Sequence, residues 1–376
     1  MHTDVLIIGA GPAGLSTALH LVQQDPAWAD RLLILEKASH PRHKLCGGGV
    51  TRLGLDYLRS LHIPLALPHA VVNDARFTYK NRLIHVRGKP EFLVFHRQEF
   101  DHHLAQTARQ RGIRIRENEA VSGIEPDPDG VTVITAHGQY RARIVVGADG
   151  SRGVTRNTLQ RARRPRGAPP RQTTARLLEV VHPAAQPAPQ FDQQYALFDF
   201  TRMRERLQGY TWDFPARVRG KAHHNRGIYD SRMARRLPKA SLPPLLDEAL
   251  RQLGSDPAAV TIEGHPIHWF SPVNTFSGKR ILLAGDAAGA EPLFGEGIAP
   301  ALGYGKVAAQ SIRAAFARQD FSLRDYPWRV LVSQLGGYML FRWWIAWWAY
   351  RLGGQDWYMH TMWTVCGWAA ALTRRT

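Results

Sequence analysis

The sequence predicts an α/β protein: a parallel sheet begun by the first residues, a second α+β layer built on an inserted antiparallel sheet, and a helical C-terminal segment. Three observations carry this. A continuous apolar run, Val5-Leu6-Ile7-Ile8, leads into Gly9-Ala10-Gly11-Pro12-Ala13-Gly14. Two further strand-to-glycine turns stand far downstream, around Gly147 to Gly150 and Gly285 to Gly297. From Tyr338 onward the chain is rich in tryptophan.

The opening run is uniformly apolar, as a strand covered on both faces must be. Pro12 to Gln24 reads as a helix, and Leu32 to Leu35 as a second strand ending at Glu36. Phe100 to Arg111 has helical periodicity. Val131 to Thr135 and Arg143 to Val146 read as strands, and Leu242 to Leu253 as a helix. Arg280 to Ala284 is a further buried strand, with a long helix from Gly297 to Ala317. Between Arg161 and Pro189 prolines and arginines break the pattern. No internal repeat is present.

The first glycine turn has a physical logic. Gly9 permits the tight turn, Gly11 lets the backbone approach a pyrophosphate, and Gly14 allows the helix to pack on the strand. The helix N-terminus presents free N–H groups and a positive dipole end to phosphate. Glu36, 22 residues after Gly14, stands where a carboxylate can accept from ribose hydroxyls. This much specifies a Rossmann-like dinucleotide site. The downstream turns decide which dinucleotide. ARIVVGADGSRG ends a strand at Gly147-Ala148-Asp149-Gly150. ILLAGDAAGAEPLFGEGIAPAL ends another at Gly285-Asp286 and opens a helix after Gly297. An aspartate at a strand end beside small residues can reach a ribityl hydroxyl. Gly295 and Gly297 leave backbone N–H groups free for a pyrophosphate or a flavin edge.

Together these motifs resemble the FAD-dependent group that includes para-hydroxybenzoate hydroxylase and the geranylgeranyl reductases. The resemblance implies FAD, held by Gly9, Gly11, Pro12, Ala13, Gly14, Glu36, Lys37 and Val121, by Asp149 and Gly150, and by Asp286, Pro292, Gly295, Gly297 and Ile298. Arg97, in HRQEFDHHLAQTA, matches the arginine that begins the helix near the flavin. Lys44-Leu45-Cys46-Gly47-Gly48-Gly49 resembles the K-x-C-G-G segment of the reductases, which passes close to the isoalloxazine. Glycines there let main chain lie against a flat ring. Cys46 reads as a proton donor, a redox-sensitive thiol or a small packing residue. Tyr210-Thr-Trp212-Asp-Phe214-Pro resembles the segment that lines their isoprenoid pocket. Strand alternation puts Tyr210, Trp212 and Phe214 on one face, suited to a long hydrocarbon. Asp213 falls on the opposite face, expected to be solvated. Cys46 and Tyr210 are the candidate proton donors.

The motifs sit at both ends of the main body, so the expected FAD domain is discontinuous: residues 1–72, 96–160 and 270–320. The substrate domain comprises 73–95 and 161–269, and the aromatic helical region 321–376. The net charge is +18, and between Ser151 and Arg236 there are 18 Lys and Arg against 6 Asp and Glu. Solvated surface, anionic lipid headgroups and an acidic electron-transfer protein all accommodate this charge. Nucleic acid ranks last, because no recognition motif accompanies it. The two cysteines, Cys46 and Cys366, form neither a disulfide framework nor a zinc pattern. No secretory signal is read ahead of the first strand, so the expectation is a cytoplasmic protein, with contact on the cytoplasmic face of a membrane.

Tyr338 to Tyr350 has four tryptophans in six positions. It reads equally as an interfacial element and as a lid over the substrate domain. The favoured reading is an FAD-dependent reductase of isoprenoid carbon–carbon double bonds. Its reductant is left open between NAD(P)H and ferredoxin or quinol. A flavin monooxygenase acting on an aromatic or polyketide-like substrate shares every FAD motif. A membrane-associated electron-transfer flavoprotein to quinone fits the tryptophan-rich tail.

Overall fold

The computed structural model describes residues 1–162, 174–184 and 188–372. Two eight-stranded sheets organise them. The first has the order Ser277–Gly278, Ile281–Leu283, Gly138–Gly147, His2–Ile8, Leu32–Leu35 and Ile115–Arg116, with Val121–Pro126 and Val131–Thr135 attached beside Gly138–Gly147. Its centre is parallel. Ile8 lies level with both Leu35 and Gly147, and Gly147 level with Leu283. Four strands therefore end at one edge. The chain leaves the first strand toward Leu32–Leu35 on one side and reaches Gly138–Gly147 on the other, which makes this edge a switch point where a crevice opens. The apolar runs read from the sequence fill both faces of this centre: Val5, Leu6 and Ile7, Leu32 to Leu35, and Ile144 to Val146 are essentially inaccessible.

The helix Pro12–Gln24 covers one face together with Ile298–Arg318 and Arg97–Gln110. At the turn before it, Gly9 has φ +104°, and a Cβ there would lie 2.4 Å from the Ala148 carbonyl oxygen. A Cβ on Gly14 would lie 2.0 Å from the Gly9 carbonyl oxygen. The turn, the helix and the Gly147–Gly150 loop thus meet backbone to backbone.

The second sheet runs Glu263–His268, Thr174–Pro183, Lys221–Asp230, Gly209–Val218, Tyr195–Asp199, His69–Tyr79, Arg82–Phe95 and Gly49–Thr51. It is antiparallel except where Tyr195–Asp199 pairs with His69–Tyr79. Gly49–Thr51, inside the span read as the first domain, pairs with Arg82–Phe95. The strand Thr174–Pro183 falls within the stretch whose pattern looked broken, and residues 163–173 and 185–187 of that stretch lie outside the described residues. Its burial does not alternate: neighbouring Glu179 and Val180 are both buried, while Arg176 and Val181 are exposed. Val180 packs beneath the helix Leu242–Gln252, while Glu179 is buried on the other side.

The C-terminal region forms three helices, Tyr326–Val332, Gln334–Leu352 and Asp356–Leu372. Ala346, Tyr350, Met359 and Trp363 join the aromatic core of the second sheet. Phe341, Trp344, Trp348, Trp357 and Trp368 are exposed. Among the described residues no helix is long and apolar enough to cross a membrane. The buried and the exposed aromatic side chains therefore belong to the same helices. Because Gly14 has no room for a methyl group, Gly14→Ala is expected to lower stability by about 1–3 kcal/mol, the usual cost of overpacking. Urea unfolding of the variant should show a lower midpoint with an unchanged slope.

Candidate active site

At the switch point, Glu36 follows the second strand and is nearly inaccessible. Its Oε2 accepts from the Ala10 N–H at 2.8 Å and its Oε1 from the Ala38 N–H at 3.2 Å. The Arg42 guanidinium lies 3.5 Å from Glu36 and 3.3 Å from Asp101. Its end sits 3.4 Å from where a Gly11 side chain would begin. Nothing in the sequence pattern distinguished Arg42. It approaches the glycine turn from a loop whose path only the fold determines. The Glu119 N–H donates to the Glu36 carbonyl at 2.8 Å, which sets Val121 close by at the start of its strand. Lys37 is exposed.

The two downstream motifs close around the same turn. Gly285 abuts Ala13, with 2.7 Å from its would-be Cβ to the alanine methyl. Ser151 Oγ contacts Asp286 Oδ2 at 3.4 Å and accepts from the His268 N–H at 3.1 Å. Asp149 stands in the loop after the strand Gly138–Gly147. Its Oδ2 accepts from the backbone N–H and hydroxyl of Thr155, each at 2.9 Å. The carboxyl thus caps the start of the helix Val154–Ala162. Burial pushes its pKa up, and Oδ1 has no hydrogen-bond partner. Gly150 has a positive φ and open space where a side chain would stand.

The Lys44–Gly49 segment crosses from the first sheet to the second. Gly48 has φ +75° and lies so close to the Phe95 carbonyl that a Cβ would be 2.1 Å from its oxygen. Gly47 faces Phe214 and Trp212, 3.3 Å and 3.7 Å from its would-be Cβ. The segment and the aromatic strand, far apart in sequence, are therefore in contact. Tyr210, Trp212 and Phe214 share one face of Gly209–Val218 and are all buried. Phe198 sits at the centre of this face, with ring centroids 4.9 Å from Phe214, 5.3 Å from Tyr210 and 4.8 Å from Phe77. The Tyr210 hydroxyl donates to the Phe294 carbonyl at 2.6 Å, and burial holds its pKa well above the usual phenol value.

Asp213 is on the opposite face, as alternation requires, but it is not solvated. It is 1% exposed and paired with Arg226 at 2.9 Å, with Gln190 donating at 2.7 Å. Arg217, Arg219 and Lys221 lie at the hairpin after the aromatic strand, where the Arg219 N–H donates to Glu99 at 2.9 Å.

Polar groups stand beside the Lys44–Cys46 stretch. Arg97 is buried and donates twice to Asp101, each at 2.9 Å. It also faces the Cys46 thiol. Lys44 Nζ donates to His265 Nε2 at 2.8 Å. Burial pushes the Lys44 pKa down. Burial and the Lys44 charge push His265 down to about 4, so its imidazole is neutral. Asn225 donates to the Cys46 carbonyl and to Glu179, both at 3.2 Å, and accepts from Trp212 Nε1 at 2.8 Å.

The loop from Glu291 to Gly297 closes the other side. Pro292 O accepts from Tyr229 at 2.9 Å and from Ser231 at 3.1 Å. Gly295 has φ +70° and packs on the Tyr229 ring. Glu291 is fully buried and accepts from the Leu293 and Phe294 N–H groups. The helix Gln334–Leu352 grips this loop at three points: Tyr338 donates to Glu296, Arg342 lies 3.8 Å from Glu291, and Tyr350 donates to the Leu293 carbonyl.

These residues fit FAD. The helices Pro12–Gln24 and Ile298–Arg318 begin at Gly11 and Gly297 without any side-chain cap, leaving first-turn N–H groups for a pyrophosphate. Glu36 would accept from ribose hydroxyls, and the main chain at Gly47 and Gly48 would lie against the flavin. Hydrogen bonds to a charged group are worth about 1.5–3 kcal/mol. Glu36→Ala is therefore expected to weaken FAD binding roughly ten- to hundredfold. Titration of the apoprotein with FAD, followed by flavin fluorescence, measures this.

Residues 2–301 match the family described as FAD binding domain. The chain is 27% identical over 343 residues to a digeranylgeranylglycerophospholipid reductase of Methanopyrus kandleri, covering 86% of this chain and 83% of that one. It is 32% identical to a rifampicin monooxygenase of Streptomyces venezuelae over 173 residues, only 42% of this chain and 33% of that one. Among solved structures it resembles a geranylgeranyl bacteriochlorophyll reductase-like protein of Thermoplasma acidophilum, with TM-score 0.75 and 21% identity over 94% of this chain and 88% of that one. A halogenase in complex with FAD shares the fold at TM-score 0.65 and 17% identity, over 90% of this chain and 73% of the halogenase. The chain belongs to the FAD-binding-domain family and is an FAD-dependent oxidoreductase.

Proposed function

We propose that this enzyme reduces carbon–carbon double bonds in an isoprenoid, geranylgeranyl-type chain. The observation that carries the reading is the contact of Gly47 with Trp212 and Phe214 on the aromatic face. That contact sets a long apolar wall directly against the segment expected to face the flavin. The length-spanning similarity to digeranylgeranylglycerophospholipid reductases supports it. Bound FAD, once reduced, supplies the hydride at N5.

The chain's own residues do the rest. The aromatic face and the helices above it exclude water from an unfunctionalised hydrocarbon. Cys46 is the proton donor, because the Tyr210 hydroxyl is already committed to the Phe294 carbonyl. Arg97, locked by Asp101, holds a fixed positive charge beside the thiol. The helices Gln334–Leu352 and Asp356–Leu372 cover the aromatic core of the second sheet. Their outward tryptophans rest in the headgroup region of a membrane, where indole is favoured, and the basic surface favours anionic lipid. The electron donor is an acidic ferredoxin drawn to that basic surface or NAD(P)H.

A monooxygenase is the second reading, favoured by the partial similarity to rifampicin monooxygenase. Photoreduced enzyme mixed anaerobically with geranylgeranyl lipid should return the flavin to its oxidised spectrum and yield saturated product. Absence of reoxidation rejects the reductase. Substrate-stimulated oxygen uptake with a hydroxylated product establishes the monooxygenase instead. Cys46→Ala should retain FAD absorbance and slow reoxidation about a hundredfold or more, the usual scale of general-acid catalysis. Trp344→Ala combined with Trp348→Ala should reduce sedimentation with anionic vesicles and leave the flavin spectrum unchanged.

A further inference from the structure

The strand Lys221–Asp230 sets Tyr229, Gly227 and Asn225 directly opposite Tyr210, Trp212 and Phe214, so the six residues share one sheet face. Tyr229 and Gly227 suit an apolar wall. Asn225 is an amide, and it is only 5% exposed. Gly227 leaves a gap that the Trp212 ring occupies: a Cβ there would lie 2.3 Å from Trp212 Cζ2. The nitrogen side of the ring is hooked, since Trp212 Nε1 donates to Asn225 Oδ1 at 2.8 Å. Asn225 Nδ2 donates to the Cys46 carbonyl and to Glu179 Oε1, both at 3.2 Å. The partners fix which end of the amide is which, because an indole N–H only donates and a carbonyl only accepts. Both amide hydrogens and the oxygen are therefore in use. Cys46 is tied at a second atom, where Sγ accepts from the Gly48 N–H at 3.4 Å. Gly48 in turn is wedged against the Phe95 carbonyl. A leucine at 225 would fill the same space and tie nothing.

We propose that Asn225 is a positioning residue for the reduction: it fixes the Cys46 main chain against the Trp212 ring, so that the thiol meets one face of a double bond lying along the aromatic wall. This rests on the reductase reading, with Cys46 as the proton donor. Reduction of one double bond adds a hydride from the reduced flavin to one carbon and a proton to the other. That proton leaves the thiol, the electron pair of the S–H bond stays on sulfur, and the thiolate takes its next proton from water. Asn225 supplies no proton and acts through Cys46 and Trp212. Its single amide holds the donor segment and the wall together, so neither shifts without the other. A misplacement of about 1 Å between reacting groups costs on the order of a hundredfold in rate.

The test uses FAD-loaded enzyme, photoreduced and mixed anaerobically with geranylgeranyl lipid in deuterated water. Asn225→Leu loses all three hydrogen bonds at nearly constant volume. Asn225→Asp keeps the acceptor for Trp212 and, as a carboxylate, loses the donor for Cys46. The wild type should place the solvent-derived deuterium on a single face of the saturated carbon. Both variants should reoxidise with a limiting rate roughly tenfold or more lower, at an unchanged half-saturating lipid concentration, and leave deuterium on both faces. Asn225→Gln carries the same amide on a longer stem and should recover part of the rate and of the stereochemistry. Variants that match the wild type in limiting rate and deuterium placement overturn the proposal, and so does a change confined to the half-saturating concentration. Flavin absorbance confirms that each protein compared is folded and loaded, and N225D decides the matter if N225L does not load. If the lipid fails to reoxidise the wild type as well, it is the reductase reading that falls. The hold on Cys46 is then read separately, by iodoacetamide labelling of the FAD-loaded protein with peptide mass spectrometry to separate Cys46 from Cys366. Labelling of Cys46 should be several-fold faster in both variants, and an unchanged rate in both shows that Asn225 does not hold the segment.

Discussion

Three stretches of backbone cross within van der Waals distance at Gly9, Gly14 and Ala148, and the rest of the molecule is arranged around that crossing. No side chain fits there, so the first helix must start where the first strand stops. Its N-terminal amides consequently point into the crevice between diverging strands. Glu36, Arg42 and Asp286 reach the same place only because the strands that carry or precede them end level with Ile8. The cofactor's position is thus decided by main-chain packing, and the polar side chains refine it.

The second sheet is attached to the first by a different economy. Gly47 and Gly48 let the connecting segment slide between Phe95 and the aromatic strand. Beside Phe214 on the same sheet face, Asn225 donates to the Cys46 carbonyl and to Glu179, and Lys44 of the segment donates to His265. One strip of main chain therefore meets aromatic rings and polar groups side by side.

The sequence disclosed the parts whose chemistry is local. The apolar runs, the glycine turns and the alternation at Tyr210, Trp212 and Phe214 each have a period or a spacing that backbone geometry reads directly. What stayed hidden depends on tertiary contact. Arg42 lies in a loop, and its partners are Glu36, at the start of that loop, and Asp101, on the helix Arg97–Gln110. Thr174–Pro183 buries the neighbours Glu179 and Val180 on opposite faces and so lacks alternation, and its one carboxyl reads as a surface charge until the fold buries it. Asp213 is the same lesson in reverse: its face follows from alternation, but its burial under Arg226 and Gln190 does not. The carboxyl of Asp149 accepts from the Thr155 N–H and hydroxyl, partners that the motif alone does not name.

The grip of the helix Gln334–Leu352 on the Glu291–Gly297 loop makes the two a single lever. Tyr338, Arg342 and Tyr350 recur every fourth or eighth position and so lie along one side of the helix. Phe341, Trp344 and Trp348 lie along the other. A load applied to the outer row is transmitted to the loop without an intervening hinge. The loop holds Pro292 O against Tyr229 and Phe294 O against Tyr210. Movement of the outer surface is thereby geared to the backbone that closes the aromatic wall.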